Sequence, residues 1–156
     1  MLDDYTTFDN WDSNGWKTGT GAELGHVVEQ EGKFFWAGRV DMGSPEQFEP
    51  ALKKVFHIEP SKKNFTVTYQ YRIRKAPDQG QHFLIAVTIP DHLGFRLSTS
   101  VEHDTPINEW LDSRSYSSNF FASSKELWIG LWRSPGSINP PQWEIEFDNI
   151  RVKEQP

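Results

Sequence analysis

The sequence predicts an all-β protein, an antiparallel β-sandwich of jelly-roll type, and three observations carry that prediction. Apolar residues recur at every second position through most of the chain. Clusters of Gly, Pro, Asn and Asp interrupt the alternation at short intervals. No window of twelve or more residues holds a convincing 3.6-residue apolar period. A strand points successive side chains to opposite faces, so period two is what a sheet with one face in a core requires. The 156 residues suffice for a single domain, 1–156, with one sizeable core. That length favours a jelly roll over the shorter immunoglobulin pattern.

Taken in order, the first strand is expected over residues 2–8, before the turn Asp12-Ser13-Asn14-Gly15. Strands at 23–29 and 33–39 are divided by Glu31-Gly32. The window 45–55 contains Pro50 and can hold at most a turn or two of helix. The next strand, 51–58, ends at Glu59-Pro60-Ser61. Residues 65–74 give the cleanest two-faced strand, with Phe65, Val67, Tyr69, Tyr71 and Ile73 opposite Thr66, Thr68, Gln70, Arg72 and Arg74. Strands at 82–89 and 95–101 follow, around Pro90-Asp91. Residues 102–124 read as long loops with a short strand near Trp110 and another near Phe120. The strand 127–132 precedes the turn Ser134-Pro135-Gly136, and 143–152 closes the chain.

That closing strand is the most informative. Its apolar positions are 143, 145 and 147, then 150 and 152, so the phase flips at Asp148-Asn149 and a bulge is expected there. A carboxylate set among core positions needs a partner. Either Asp148 binds a structural ion or it accepts hydrogen bonds from backbone amides.

Composition narrows the function classes. Aromatics reach 14%, with seven Trp and eleven Phe, in a chain only 36% apolar, so a few large rings must build much of the core. The net charge of −6 and the lack of a basic cluster argue against nucleic acid or an anionic membrane as partner. The absence of Cys excludes disulfides, zinc ribbons and thiol chemistry. Met1-Leu2-Asp3-Asp4 does not read as a signal peptide, and no apolar run is long enough to span a membrane as a helix. The chain is thus expected to be cytoplasmic if complete and extracellular if it is an excised module.

Several short motifs fall in a recognisable order. Phe8-Asp9 precedes Gly15-Trp16, and Gly32 leads into Lys33-Phe34-Phe35-Trp36. Pro60 precedes the alternating aromatic strand, and the chain closes on Phe147-Asp148-Asn149-Ile150-Arg151-Val152. In order and spacing these resemble the jelly-roll carbohydrate-binding modules of the galactose-binding-like, lectin-like kind. The resemblance implies non-catalytic binding of an oligo- or polysaccharide. It also implies one structural calcium ion, held by Asp9, the Lys33 carbonyl and Asp148. Because Asp3-Asp4-Tyr5 also resembles the family's opening, Asp4 is the alternative to Asp9.

Sugars lay their C–H faces on aromatic rings and give their hydroxyls to planar polar side chains. On the strand 127–132, Leu127, Ile129 and Leu131 share one face and leave Trp128 and Trp132 on the other. The two indoles form either an exposed platform or a core pair. Gln70 and Arg72 offer hydroxyl partners, Trp36 and Trp143 are further candidates, and Trp16 and Trp110 are assigned to the core. Two other classes stay open. The chain could be a protein-interaction or structural sandwich whose aromatic patch meets a protein partner or a second copy. It could also be a small lyase or glycoside hydrolase, using Arg72 and Arg74 near Tyr69 and Tyr71, or the pair Glu144 and Glu146. Those carboxylates share one strand face, so both would stand on the same side of a substrate.

Overall fold

The alternation becomes two antiparallel sheets packed face to face. The computed structural model describes residues 1–22, 24–41, 48–133 and 142–156, the side chains of 94–96 excepted. The larger sheet contains β1 (Asp3–Thr6), β3 (His26–Gln30), β4 (Lys33–Asp41), β6 (Phe65–Arg72), β9 (Leu111–Asp112), β10 (Tyr116–Ser118) and β12 (Gln142–Glu154). The smaller contains β2 (Lys17–Thr18), β5 (Phe48–Val55), β7 (Phe83–Ile89), β8 (His92–Val101) and β11 (Glu126–Trp132). Their orders are β10-β6-β12-β4-β3, with β1 on β12 and β9 on β6, and β2-β5-β11-β7-β8. The last strand thus lies in the middle of the larger sheet, between β4 and β6.

The core is the layer between the sheets. From the larger sheet come Phe65, Val67, Tyr69, Tyr71, Trp36, Trp143, Ile145 and Phe147; from the smaller come Leu52, Phe83, Ile85, Val87, Leu127, Ile129 and Leu131. Phe83 and Trp143 meet with ring centres 5.3 Å apart, and Tyr69 stands edge-on to Phe147 at 5.5 Å. The Tyr69 and Tyr116 hydroxyls approach to 3.4 Å, and Thr99 bonds to Tyr116. Burial pushes the Tyr69 phenol well above its ordinary value, so it stays a neutral hydrogen-bonding group.

The expected strands occur with shifted ends, except that Phe120 lies in a 3-10 turn, Phe120–Ala122, and the strand expected there falls earlier, at Tyr116–Ser118. The window 45–55 yields strand from Phe48 onward rather than helix, and residues 42–47 lie outside the described part. The turn Ser134-Pro135-Gly136 also lies outside it. The short strands of the 102–124 region are β9 and β10, which edge the larger sheet.

The predicted bulge falls at its expected place. Pairing of β12 with β6 shifts between Asp148 and Arg151, and Asn149 takes φ 50°. Asn tolerates that left-handed conformation better than most residues. The slip returns Ile150 and Val152 to the core and turns Asn149 and Arg151 away from it.

Candidate functional site

Two faces of the sandwich look outward, and the sequence-predicted binding residues divide between them. Register places Arg72 opposite Glu146 and Gln70 opposite Asp148, with Ala37 opposite Glu146 and Arg39 opposite Glu144 on the other flank of β12. These side chains all share the outer face of the larger sheet. Trp128 and Trp132 stand on the outer face of the smaller sheet, opposite the buried Leu127, Ile129 and Leu131. The indoles are therefore on the platform side of β11, but no single site can include them together with Gln70 and Arg72.

Trp128 is half-buried and fixed on three sides. Its ring stacks on Phe48 at 6.4 Å, Lys53 Nζ lies 4.8 Å from its centre, and its Nε1 donates to Glu126 at 2.8 Å. Gly130, between the two Trp, lets the β5 backbone approach: a Cβ there would meet the Glu49 carbonyl oxygen at 2.1 Å.

Three of the aromatic assignments need correction. Trp36 is only 2% exposed, on the inner face, where its indole lies over Gly25 and Gly38 and donates to Thr18 Oγ1 at 3.1 Å. Its phase matches Phe147, so it is a core residue and no sugar platform; Trp143 is buried as well. Trp110, assigned to the core, instead covers the outer face of the larger sheet. It packs edge-on against Phe35 at 5.5 Å, with the Arg72 guanidinium 4.5 Å and the Lys33 ammonium 4.9 Å from its ring. Sequence alone missed this because Trp110 lies in a loop, where periodicity says nothing about sides.

Beside this aromatic pair runs a groove. A hollow of about 240 Å³ is lined by Ala37 and by the backbone of Gly38 and Ile145, whose side chain faces the core, with His26, Arg39, Arg72, Arg74, Glu144 and Glu146 around it. A second, of about 250 Å³, shares Arg39, Arg74 and Glu144 and adds Lys75, Gln142 and Trp143. The polar walls are pre-set by mutual contacts. Arg72 Nε donates to Glu146 at 2.7 Å and its second nitrogen at 3.3 Å, a two-point pairing. Arg74 Nε lies 3.1 Å from Glu146 and its other nitrogens donate to Gln30 and Asn108. Charge-assisted bonds of this kind hold planar groups in place before a ligand arrives. Gln70 is engaged by Asn149 and Asp112 nearer the β9 edge.

The proposed metal ligands also separate. Asp4 belongs to another set, with Lys54 Nζ at 2.7 Å and Asn14 Nδ2 at 3.2 Å. Asp148 is 2% exposed; its Oδ2 lies 2.7 Å from Lys33 Nζ and its Oδ1 accepts from the Asn149 amide at 2.8 Å. Burial raises the Asp148 carboxyl above its ordinary value, against the lowering pull of Lys33 and the Asn149 amide, and the charge of Asp9 adds to the rise. Asp9 rather than Asp4 is thus the carboxylate felt at Asp148. All-oxygen donors suit a hard cation. No group of three or more acidic or His side chains is placed to hold a metal ion among the described residues, so a calcium ion here would draw its other ligands from carbonyls and water.

The fold is a jelly-roll β-sandwich, the architecture also found in several carbohydrate-binding modules. A similar architecture is seen in the CBM22-1 and GH10 modules of Clostridium thermocellum endo-1,4-beta-D-xylanase 10B complexed with xylohexaose, at TM-score 0.62 and 12% identity. That match takes in 98% of this chain and 28% of the other, so the chain corresponds to little more than a quarter of it. The mannan-recognising carbohydrate-binding module TmCBM27 is similar over 100% of both chains, at TM-score 0.60 and 13% identity. The non-crystalline-cellulose-specific module CBM28 is similar over 95% of this chain and 92% of its own, at TM-score 0.57 and 13% identity. No protein-family model matches the sequence, and no curated protein does.

Proposed function

We propose that the protein is a non-catalytic carbohydrate-binding module that holds a glycan chain in the groove on the outer face of its larger sheet. One observation carries the reading: planar side chains fixed by mutual contacts, Arg72, Arg74 and Glu146, stand with Glu144 around a shallow floor formed by Ala37 and the neighbouring backbone of Gly38 and Ile145. Such a trough accepts the flat C–H faces of a sugar chain while its walls exchange hydrogen bonds with the hydroxyls. The similar structures named above support it, since their ligands are xylohexaose, mannan and non-crystalline cellulose.

Titration calorimetry against a panel of soluble polysaccharides tests it. Ala37→Trp, which fills the floor, raises Kd at least about tenfold, the effect of losing roughly 1.4 kcal/mol of contact. Trp128→Ala, on the opposite face, leaves binding as it was. The reverse pattern moves the site to the smaller sheet, and silence across the whole panel ends the proposal.

The reading includes one structural calcium, held by Asp9, the Lys33 carbonyl and Asp148. The buried carboxylate already draws a cation, the Lys33 ammonium, whose side chain is 42% exposed. A bound ion would tie the start of β4 and the 3-10 turn Asp9–Trp11 to the last strand. Calcium then raises Tm over an EDTA control in the wild type, and Asp148→Ala removes the rise. A melting temperature indifferent to calcium would sink this part alone.

A further inference from the structure

The charge around the groove opposes the charge of the molecule. The chain holds 22 acidic and 16 basic residues. Yet the two adjoining hollows gather Arg39, Arg72, Arg74 and Lys75 against Glu144 and Glu146 alone. Glu146 is shared by two guanidiniums, Arg72 Nε at 2.7 Å and Arg74 Nε at 3.1 Å, so one positive charge of that trio stays unmatched. Arg39 faces Glu144 across the β4–β12 register, and Lys75 is exposed beside it. Neither forms an ion pair among the described residues. Asp41 lines a separate hollow with Thr20, Leu24 and Arg39, and its charge helps raise the Glu49 carboxyl.

Neutral sugars ask only for hydroxyl partners, which Arg72, Arg74 and the two Glu supply, and the surplus positive charge does nothing further to hold them. A carboxylate resolves the excess. Guanidinium offers a planar fork that matches a carboxylate at two points, and an ammonium adds a point charge beside it. The position matters too, because Arg39, Arg74 and Lys75 border the second hollow, one step along the groove from Arg72. A chain lying along the floor would bring an acidic side group or an acidic ring to that end.

We infer that the groove selects an acidic polysaccharide, one bearing uronic-acid carboxylates, and that Arg39 and Lys75 are the residues that select it. This inference rests on the glycan-binding reading of the same groove.

The experiment compares glucuronic-acid-substituted xylan with the same polymer after its carboxyl groups have been reduced to alcohols, by titration calorimetry at low and high salt. The acidic polymer binds at least about tenfold tighter at low salt, and the advantage shrinks as salt screens the exposed charges. Arg39→Gln and Lys75→Gln each lower the ratio of the two affinities, and together they abolish it. Trp128→Ala leaves the ratio intact. Equal binding of native and reduced polymer overturns the inference while leaving the glycan-binding reading standing. So does a preference that persists in the double variant. Failure to bind any glycan removes the underlying reading first. Both substitutions are at exposed positions, and circular dichroism of the variants verifies that the sheets are unchanged.

Discussion

Asp148 carries the sharpest residue-scale consequence. Its carboxyl is raised above the ordinary aspartate range by burial, so the folded protein takes up a proton there at higher pH than the unfolded chain does. Between the ordinary aspartate value, about 3.9, and the raised one, the native state binds more protons, and stability falls as pH rises through that window. The direction is opposite to the usual salt-bridged carboxylate. In EDTA, Asp148→Asn therefore flattens the acid side of the stability profile and is at least as stable as wild type at neutral pH. The substituted amide oxygen can still accept from the Asn149 amide, which Asp148 now binds at 2.8 Å. Urea unfolding across a pH series checks this, and parallel profiles for the two proteins would contradict it. That Asp148 needed a partner was legible in the sequence, because a carboxylate interrupted an apolar strand. Its partner was not: Lys33 entered the sequence reading through its carbonyl, and the structure adds its side chain.

At the scale of elements, strands with strict alternation could be read almost residue by residue. Residues 65–74 gave β6 with the expected inner set, and the phase flip at 148–149 became a bulge whose Asn149 has positive φ. Both succeed because period-two patterning and register report the same physics, namely which side chains meet the core. Loop-borne elements resisted. β9 and β10 have two and three residues, too few for a period, and Trp110 just before β9 acquires its position from long-range packing on Phe35 and Arg72. Trp36 was misread for a related reason. Phe34, Phe35 and Trp36 form an unbroken aromatic run, and only pairing with β12 reveals that Trp36 is in phase with Phe147. Glu144 and Glu146 do share one face as read, and Glu146 is committed to two guanidiniums.

The whole molecule decides what neither residue nor strand could. β6 and β11 each presented a credible binding face, but one sequence does not say which sheet a strand joins, so Gln70 and Arg72 were grouped with Trp128 and Trp132 across the full thickness of the sandwich. The two sheets are joined mainly by apolar packing, with hydrogen bonds such as Trp36 to Thr18 and Thr99 to Tyr116 between them, and an ion pair joins them as well. Lys54 on β5 points inward, opposite Leu127, and its Nζ reaches Asp4 Oδ2 on β1 at 2.7 Å while lying 5.0 Å from the centre of the Phe56 ring. The two side chains are 8% and 16% exposed, and Asn14 Nδ2 donates to the other Asp4 oxygen at 3.2 Å. Removing one partner of such a pair leaves a desolvated charge behind, which costs far more than the pair contributes on its own. Lys54→Ala thus destabilises the protein by about 3 to 5 kcal/mol, a large share of a single domain's stability. Replacing both partners by apolar residues of similar length, Lys54→Met with Asp4→Leu, recovers most of that loss, because no stranded carboxylate remains. Urea unfolding of the single and double variants measures both effects, and a Lys54→Ala loss below about 1 kcal/mol would mean that the ion pair behaves as an exposed surface pair.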